Sequence, residues 1–396
     1  MTEPFVYLDH AATSPPPDAV RAAVAHALAD GWGNPSSVHA AGRRARAAID
    51  DAHDALAALL GTDARTLVLT SGGTEAINLA IKGAAWAGKG TGHRIVLTGV
   101  EHKAVLDACA HLERYGFAVS TVPVDADGRP DPDALVDALD ARTVLVCLQL
   151  ANNEIGTIVP VAELAAGIRR AAPLARIHVD AVQALPWLTL EVAGLDVDLV
   201  SVSGHKIGAP AGTGALWIRP GVAIVPQQHG GAQERYRRAG TENVPGAAGL
   251  AAAAAQLRSG RGAAAERARA ARDHLAAAIL RVPGVRRTGP VADRLPNHLS
   301  VVADAVLGHE VVIACDLAGV AISTGSACQS ASDAPSHVLT AIGLDAVSAR
   351  GALRISVGPD PSPAGIERAA AAIPAAIAHV RAGRTTLAAA GAQRGG

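Results

Sequence analysis

The first half of the sequence repeats one pattern, in which a short apolar run is followed by a turn and then by a segment with helical spacing. The clearest apolar runs cover residues 67–70, 95–98, 144–150, 176–179 and 199–202. Strands that alternate with helices in this way predict an α/β fold with a mostly parallel sheet and helices on both faces. Because ligands of such sheets bind beyond the carboxyl ends of the strands, we expect the functional residues just after these runs.

The pattern changes in the second half of the sequence. Residues 247–283 are rich in Ala and Arg and predict a long helix, and shorter strands and helices resume from about residue 285. We expect a large domain over residues 15–255 and a smaller α+β domain that combines residues 1–14 with residues 256–381. The small and polar residues 382–396 predict a disordered tail.

Composition excludes several classes of protein. Apolar residues make up 49% of the chain and charged residues 18%, as is typical of a globular protein. The 35 Lys and Arg residues balance the 36 Asp and Glu residues, so we expect no nucleic-acid partner. The apolar stretches are interrupted and the first residues lack a signal-peptide pattern, so we expect no membrane span and a cytoplasmic location. Four cysteines without a CxxC pair predict neither disulfides nor a cysteine-based zinc site.

A lysine follows the last of the apolar runs. Residues 199–202 predict a buried strand, which breaks at Gly204 and delivers Lys206 at its end. Partial burial at a strand end lowers the pKa of a lysine and makes its amine available as a nucleophile. Taken alone, such a lysine is more often a residue of a solvated turn, so the residues around it decide its role.

The segment Thr70-Ser-Gly-Gly-Thr-Glu75 lies between a predicted strand and a predicted helix. Glycines let the backbone approach an anion, and the helix N-terminus offers N–H groups and the positive end of a dipole. The segment fits neither GxxxxGK[ST] nor GxGxxG, so it favours the phosphate of a ligand smaller than a nucleoside triphosphate or a dinucleotide. These six residues alone are equally compatible with a plain turn.

The ends of the predicted strands would bring complementary groups to one edge of the sheet: a lysine, a carboxylate, two carboxamides, an imidazole and the phosphate cradle. These groups are Lys206, Asp180, Asn153, Gln183, His102 and Thr74. Pyridoxal phosphate needs a lysine for its Schiff base, a carboxylate for its pyridine nitrogen, and a flat side chain over its ring. The alternative is a metal site built from His102, His178, Asp180 and His205.

Seven motifs carry a resemblance to a known family. In chain order they are TSGGTEAIN (70–78), EHK (101–103), NNEIG (152–156), HVDAVQ (178–183), SGHK (203–206), RAGTEN (238–243) and STGSAC (323–328). In this order and spacing, over about residues 5–380, they resemble the NifS/IscS-type (group I) cysteine desulfurases of the class V aminotransferase superfamily. The resemblance implies fold type I of the pyridoxal-phosphate enzymes and the conversion of L-cysteine to L-alanine.

The resemblance also implies roles for individual residues. Lys206 resembles the Schiff-base lysine, Asp180 the partner of the pyridine nitrogen, and Gln183 the residue near the ring hydroxyl. His102 resembles the residue stacked on the ring and is a candidate acid and base for the substrate thiol. The phosphate contacts implied are Gly73, Thr74, Ser203, His205 and, from the neighbouring subunit of a homodimer, Thr241. Asn153 and Arg354 resemble the residues that hold the substrate carboxylate.

Cys328 lies in a Gly- and Ser-rich loop, whereas Cys109, Cys147 and Cys315 lie in apolar surroundings typical of core residues. A catalytic thiol needs exposure and thiolate character, so the resemblance implies that Cys328 is the nucleophile that holds sulfur as a persulfide. A sulfur-acceptor protein for iron–sulfur cluster assembly or thiolation would then be a partner. Three alternatives stay open: a selenocysteine lyase, another class V lyase or aminotransferase, and a non-catalytic sulfur-relay subunit.

Overall fold

The computed structural model describes residues 5–325 and 335–394, with side chains described as far as residue 384. Its strands are β1 (Val6–Tyr7), β2 (Leu67–Thr70), β3 (Arg94–Thr98), β4 (Ala118–Val122), β5 (Thr143–Gln149), β6 (Arg176–Asp180), β7 (Leu199–Ser203), β8 (Gly214–Ile218), β9 (Val285–Arg287), β10 (His298–Ala303), β11 (Val320–Ala321) and β12 (Ala352–Ser356). Its helices are α1 (Asp18–Ala29), α2 (Ala40–Leu60), α3 (Gly73–Gly88), α4 (Lys103–Glu113), α5 (Pro132–Asp137), α6 (Val161–Ala171), α7 (Val244–Ile279), α8 (Gly308–Leu317), α9 (His337–Ala341), α10 (Ala346–Arg350) and α11 (Pro363–Arg394).

The central sheet has seven strands in the order β2-β8-β7-β6-β5-β3-β4. Only β8 runs against its neighbours, so the prediction of a mostly parallel sheet is confirmed. Because β8 is antiparallel to both β2 and β7, the carboxyl end of β2 lies at the same edge as those of β6 and β7. This topology places the segments that follow Thr70, Asp180 and Ser203 side by side.

Helices cover both faces of the sheet. On β5, Val146 and Leu148 pack into one apolar core, whereas Leu145 and Cys147 pack into the other. A strand that is buried on both faces reads as a continuous apolar run, which is why β5 shows no alternation of polar and apolar residues. The three cysteines predicted to be core residues, Cys109, Cys147 and Cys315, are buried.

The second part of the chain contains an antiparallel sheet of order β12-β10-β9. The N-terminal segment joins it, because β1 pairs with β11 and Asp9 forms a β-bridge with Ser356. The predicted boundary between the domains falls inside α7, which is one continuous helix of 36 residues. The chain therefore has no linker at that point.

The C-terminal segment differs from the expectation of a disordered tail from residue 382. Helix α11 continues to Arg394, because Ala-rich sequences have high helix propensity. A contact with α8 also holds part of this helix, because Arg384 forms an ion pair with Glu310 at 3.0 Å. In the part of the chain that the structure describes, no helix is long and apolar enough to span a membrane.

Candidate active site

A cavity of about 300 Å³ lies at the carboxyl edge of the central sheet. Its lining brings together nine residues from five of the motifs, together with Arg354: Gly73, Thr74, His102, Asn153, Asp180, Gln183, Ser203, His205, Lys206 and Arg354. The strand-end positions predicted from the parallel topology are therefore confirmed as neighbours in space.

Lys206 follows β7 by one turn of 3₁₀-helix and is partly buried. Its Nζ donates hydrogen bonds to the carbonyl oxygens of Ala11 and Ala12, at 2.6 and 2.7 Å. The N-terminal segment therefore fixes the position of the amine from above the sheet. Gln183 is tied to the same segment, because its Nε2 donates to the Ala11 carbonyl at 2.8 Å.

Asp180 is the last residue of β6 and its carboxylate is buried. Burial raises the pKa of Asp180, and this effect exceeds the opposing effects of the positive charges of His102 and Lys206 and of the Val182 N–H, which donates to Oδ1 at 2.9 Å. A buried carboxylate of this kind is stabilised as an anion by a further cationic or N–H partner.

The cradle predicted between β2 and α3 begins at Gly72, which caps the helix without any side-chain hydrogen bond. A methyl group added at Gly73 would lie 3.0 Å from Val182 Cγ2 and 3.3 Å from Ser203 Cβ, a tight fit in which a neighbouring side chain would have to shift by a few tenths of an ångström. The Oγ of Ser203 is buried and has no hydrogen-bond partner among the described residues. The helix N-terminus and this hydroxyl together form an anion site with unsatisfied donors.

Two of the three histidines that line the cavity, His102 and His205, have different surroundings. His102 caps α4, and its Nδ1 accepts a hydrogen bond from the backbone N–H of Ala104 at 3.1 Å. A neutral His102 ring therefore carries its proton on Nε2. Burial and the charge of Lys206 lower the pKa of His205 to about 4, so that this ring is neutral at neutral pH, and its Nδ1 lies 3.1 Å from Thr13 Oγ1.

Arg354 reaches the cavity from β12, with only 2% of its side chain exposed. Its Nη2 pairs with Asp9 at 2.8 Å, and its Nη1 donates to the carbonyl oxygens of Gly325 and Asn153. Its Nε is buried without a partner in the described chain. The guanidinium thus lies at the meeting point of the N-terminal segment, the Asn153 loop and the residues that precede the Cys328 loop.

Two predicted residues are not brought into the cavity. Thr241 is exposed on a loop that precedes α7 and does not line the cavity, so its role at a neighbouring subunit stays a prediction. Cys328 lies outside the described residues.

Sequence reasoning missed the contribution of the N-terminal segment and of Glu101. Glu101 is buried, and its Oε1 accepts hydrogen bonds from Thr98 Oγ1 at 2.7 Å and from the Gln149 N–H at 3.0 Å. Burial raises the pKa of Glu101 to about 8, despite these two donors. Its place directly before His102 in the EHK motif was the available signal.

The metal alternative finds no support in the geometry. Among residues 5–325 and 335–394, no three His, Cys, Asp or Glu side chains are grouped so that they could hold an ion. His178, which this alternative requires, lies inside the sheet with its Nε2 2.8 Å from Ser201 Oγ.

A second and larger cavity, of about 770 Å³, lies on the other side of the N-terminal segment. It shares Lys206 with the first cavity and is lined mostly by apolar residues, among them Trp187 and Leu257. None of the other candidate residues faces it, so the chemistry belongs to the smaller cavity.

Comparison with known families gives one match that covers most of the chain. The Aminotransferase class-V family profile matches residues 6–368. Among curated proteins, the chain is 43% identical to cysteine desulfurase IscS of Dictyoglomus turgidum over 89% of each chain. It is 40% identical to cysteine desulfurase IscS of Methanosarcina thermophila, over 95% of this chain and 93% of that protein.

Solved structures agree with these sequence matches. A NifS-like protein superposes with a TM-score of 0.89 at 33% identity, covering 95% of this chain and all of that chain. A structure described as SspA in complex with cysteine superposes with a TM-score of 0.79 at 32% identity, covering 90% of this chain and all of that one. The similarity therefore extends over both parts of the fold.

Proposed function

Because this chain belongs to the class V aminotransferase family and is a pyridoxal-phosphate-dependent cysteine desulfurase of the IscS/NifS type, we propose how its own residues divide the work on L-cysteine. The observation that carries the proposal is the convergence of nine residues from five motifs, and of Arg354, on one cavity. The roles below follow from the surroundings of each side chain.

The residues present fit pyridoxal phosphate. The unpartnered Ser203 hydroxyl and the uncapped start of α3 match a phosphate, and Gly73 and Thr74 lie where they can contact it. Asp180 offers a buried carboxylate that suits a protonated ring nitrogen, and Gln183 and His102 complete the lining. When bound, the cofactor supplies an electron sink that acidifies the Cα–H bond of an amino acid.

The substrate carboxylate is held by Arg354 and Asn153. Arginine suits this task because its planar fork binds a carboxylate through two parallel hydrogen bonds. Arg354 is pre-positioned by Asp9 and by two backbone carbonyls, and among the described residues its Nε–H has no acceptor. Fixing the carboxylate orients the Cα–H bond toward the amine of Lys206.

Lys206 and His102 move the protons. In the cofactor-bound enzyme, the Nζ of Lys206 takes the proton from Cα and returns one to the product. The Nε2 of His102 is suited to exchange a proton with the substrate thiol, because Nδ1 is engaged by the Ala104 N–H. Because His205 is neutral at neutral pH, it adds no second positive charge beside Lys206.

Cys328 accepts the sulfur. Its thiolate attacks the substrate sulfur, so that a new S–S bond forms while the Cβ–S bond of the substrate breaks. The electron pair of the broken bond stays on the substrate carbon, which is protonated and leaves as L-alanine. The sulfur is then a persulfide on Cys328, ready for transfer to an acceptor protein that serves cluster assembly or thiolation. A homodimer, in which Thr241 reaches the phosphate of the neighbouring subunit, is the active form.

The test compares Lys206→Ala and Cys328→Ala with the wild type, and uses Cys315→Ala as the matched control because Cys315 is buried. Each protein is examined for the visible absorption of bound cofactor and for alanine and persulfide formed from cysteine. We expect Lys206→Ala to lose the visible band and activity. Cys328→Ala should keep the band and lose persulfide and sulfide formation, whereas Cys315→Ala should resemble the wild type.

Two results would change the proposal. Undiminished sulfide release from Cys328→Ala would eliminate the persulfide role of this cysteine. Turnover of selenocysteine that far exceeds turnover of cysteine in the same assay would favour the selenocysteine lyase.

A further inference from the structure

A strained turn precedes the segment that contains Thr241. Three consecutive residues, Glu234, Arg235 and Tyr236, have positive φ angles of 45°, 56° and 63°. None of them is glycine, and a run of left-handed residues is unfavourable for side chains with a Cβ atom. Such a turn persists only where the surrounding contacts hold it.

The contacts that hold the turn come from one buried ion pair. Glu234 Oε2 accepts a hydrogen bond from His53 Nε2 at 2.9 Å and another from the backbone N–H of Leu69 at 2.9 Å. The side chains of His53 and Glu234 are only 5% and 3% exposed. Leu69 belongs to β2, the strand that ends at the phosphate cradle, so the pair connects helix α2, the turn and the cradle.

The hydrogen bonds of His53 also fix its charge. Its Nδ1 lies 2.9 Å from the carbonyl oxygen of Ile49, which can only accept a hydrogen bond. Its Nε2 faces a carboxylate, which when ionised can also only accept. Opposite an ionised Glu234, both ring nitrogens therefore carry protons, and His53 is an imidazolium below its raised pKa.

The turn is part of residues 233–241, which we call the 233–241 loop. Two further ion pairs hold this loop and the residue that follows it. Arg238 donates two hydrogen bonds to Glu75, which follows Thr74 in the first turn of α3. Arg46 pairs with Glu242 at 3.1 Å. Thr241 lies between these anchors, so its position depends on the same set of charges.

We propose that the buried His53–Glu234 pair is a positioning device that holds the 233–241 loop so that Thr241 can complete the neighbouring subunit's cofactor site, and that loss of the His53 proton releases it. This inference rests on the proposed role of Thr241. A neutral His53 that keeps its bond to Ile49 presents a lone pair to the Glu234 carboxylate. The buried carboxylate then loses its cationic partner and the strained turn loses its restraint.

The charged groups around His53 set the direction of the pH effect. Burial lowers the pKa of His53, but its hydrogen bond to Glu234 and the charge of Glu234 raise it by more, and Arg235 opposes them only in part. The other charged residues that line the adjoining cavity are Arg46, Asp50 and Glu242. Because the net pKa of His53 is raised above 6.5, the restraint is fully present below pH 6.5 and weakens as the pH rises through the raised value.

The experiment measures the affinity of the apo-dimer for added pyridoxal phosphate between about pH 6.5 and 9. The variants are His53→Arg, which is always charged, and His53→Gln, which never is. The cavity of about 270 Å³ beside His53 gives the larger arginine room. His274→Gln is the matched control, because it removes an exposed His–Glu pair. The bond between Lys206 and the cofactor also titrates with pH, and it does so in every variant. Each affinity is therefore divided by the affinity of His53→Arg at the same pH, so that this common effect cancels.

We expect the wild-type ratio to fall by roughly tenfold or more across this range, and His53→Gln to be weak at every pH. His274→Gln should follow the wild type. A wild-type ratio that stays constant with pH overturns the proposal, and this test holds even if His53→Gln fails to fold. The variant Thr241→Ala tests the premise separately. If its affinity for the cofactor equals that of the wild type, Thr241 has no role at the cofactor site and the inference fails with it. If its affinity is weaker but the wild-type ratio does not change with pH, only the inference about His53 fails.

Discussion

Asp180 ends one buried strand of the central sheet and Lys206 follows another, whereas Thr241 lies on the 233–241 loop, which contains three consecutive left-handed residues. The sheet delivers the first two residues through its backbone ladder, and backbone groups contact both: the Val182 N–H donates to Asp180, and the Ala11 carbonyl accepts from Lys206. The loop instead depends on ion pairs with α2 and α3. Topology therefore specifies the strand-end half of the site, which contains Asp180 and Lys206. A few charged pairs specify the loop half, which contains Thr241.

The strand-end half is most sharply tested by Asp180→Asn. Asparagine keeps the shape and can still accept the Val182 N–H, but it removes the buried negative charge that suits a protonated cofactor ring. We expect alanine formation from cysteine to fall by about 10²–10³-fold with the cofactor still bound. Activity within a few-fold of the wild type would show that the ring nitrogen needs no anionic partner here.

The interior beneath this half is tested by Glu101→Gln. Because burial raises the folded pKa of Glu101 from 4.5 to about 8, its protonated form favours folding at low pH, and that contribution is lost as the pH rises toward 8. The difference in the free energy of unfolding, variant minus wild type, should therefore rise by about 1.4 kcal/mol per pH unit between about pH 5 and 8. Above about pH 8 the difference should stay constant.

Thermal unfolding midpoints measured across that range check this prediction. Glu367→Gln, which removes an exposed carboxylate, serves as the control and should leave the pH profile unchanged. Parallel pH profiles for Glu101→Gln and the wild type would mean that Glu101 is ionised inside the fold.

The same comparison explains how much could be predicted from the sequence. The alternation of apolar runs and helices predicted a parallel sheet, and a parallel sheet brings strand ends together whatever lies between them. This is why Asp180 and Lys206, which are far apart in sequence, could be placed at one edge. The family resemblance then added Arg354, which lies outside the seven motifs and which topology alone did not indicate.

The contacts of the N-terminal segment could not be predicted in this way. Lys206 is held by the carbonyl oxygens of Ala11 and Ala12, and every residue carries such a carbonyl, so the sequence gives no signal for this contact. The His53–Glu234 pair could not be predicted from the sequence either, because its partners lie 181 positions apart and belong to no shared motif. The small and polar residues after position 381 predict disorder by their composition, whereas the alanines among them favour the helix that reaches Arg394.

The loop half is tested by Thr241→Ala in mixed dimers. One hydrogen bond to a charged phosphate contributes about 1.5–3 kcal/mol, so the variant dimer should bind the cofactor roughly 10- to 100-fold more weakly. Lys206→Ala subunits cannot perform the reaction but keep Thr241. If Thr241 acts on the neighbouring subunit, random mixing of the two inactive or weakened proteins restores a tight, active site in about a quarter of all sites. Activity at a cofactor concentration that saturates only the wild type measures this recovery, and no recovery would place Thr241 at the site of its own subunit or at neither.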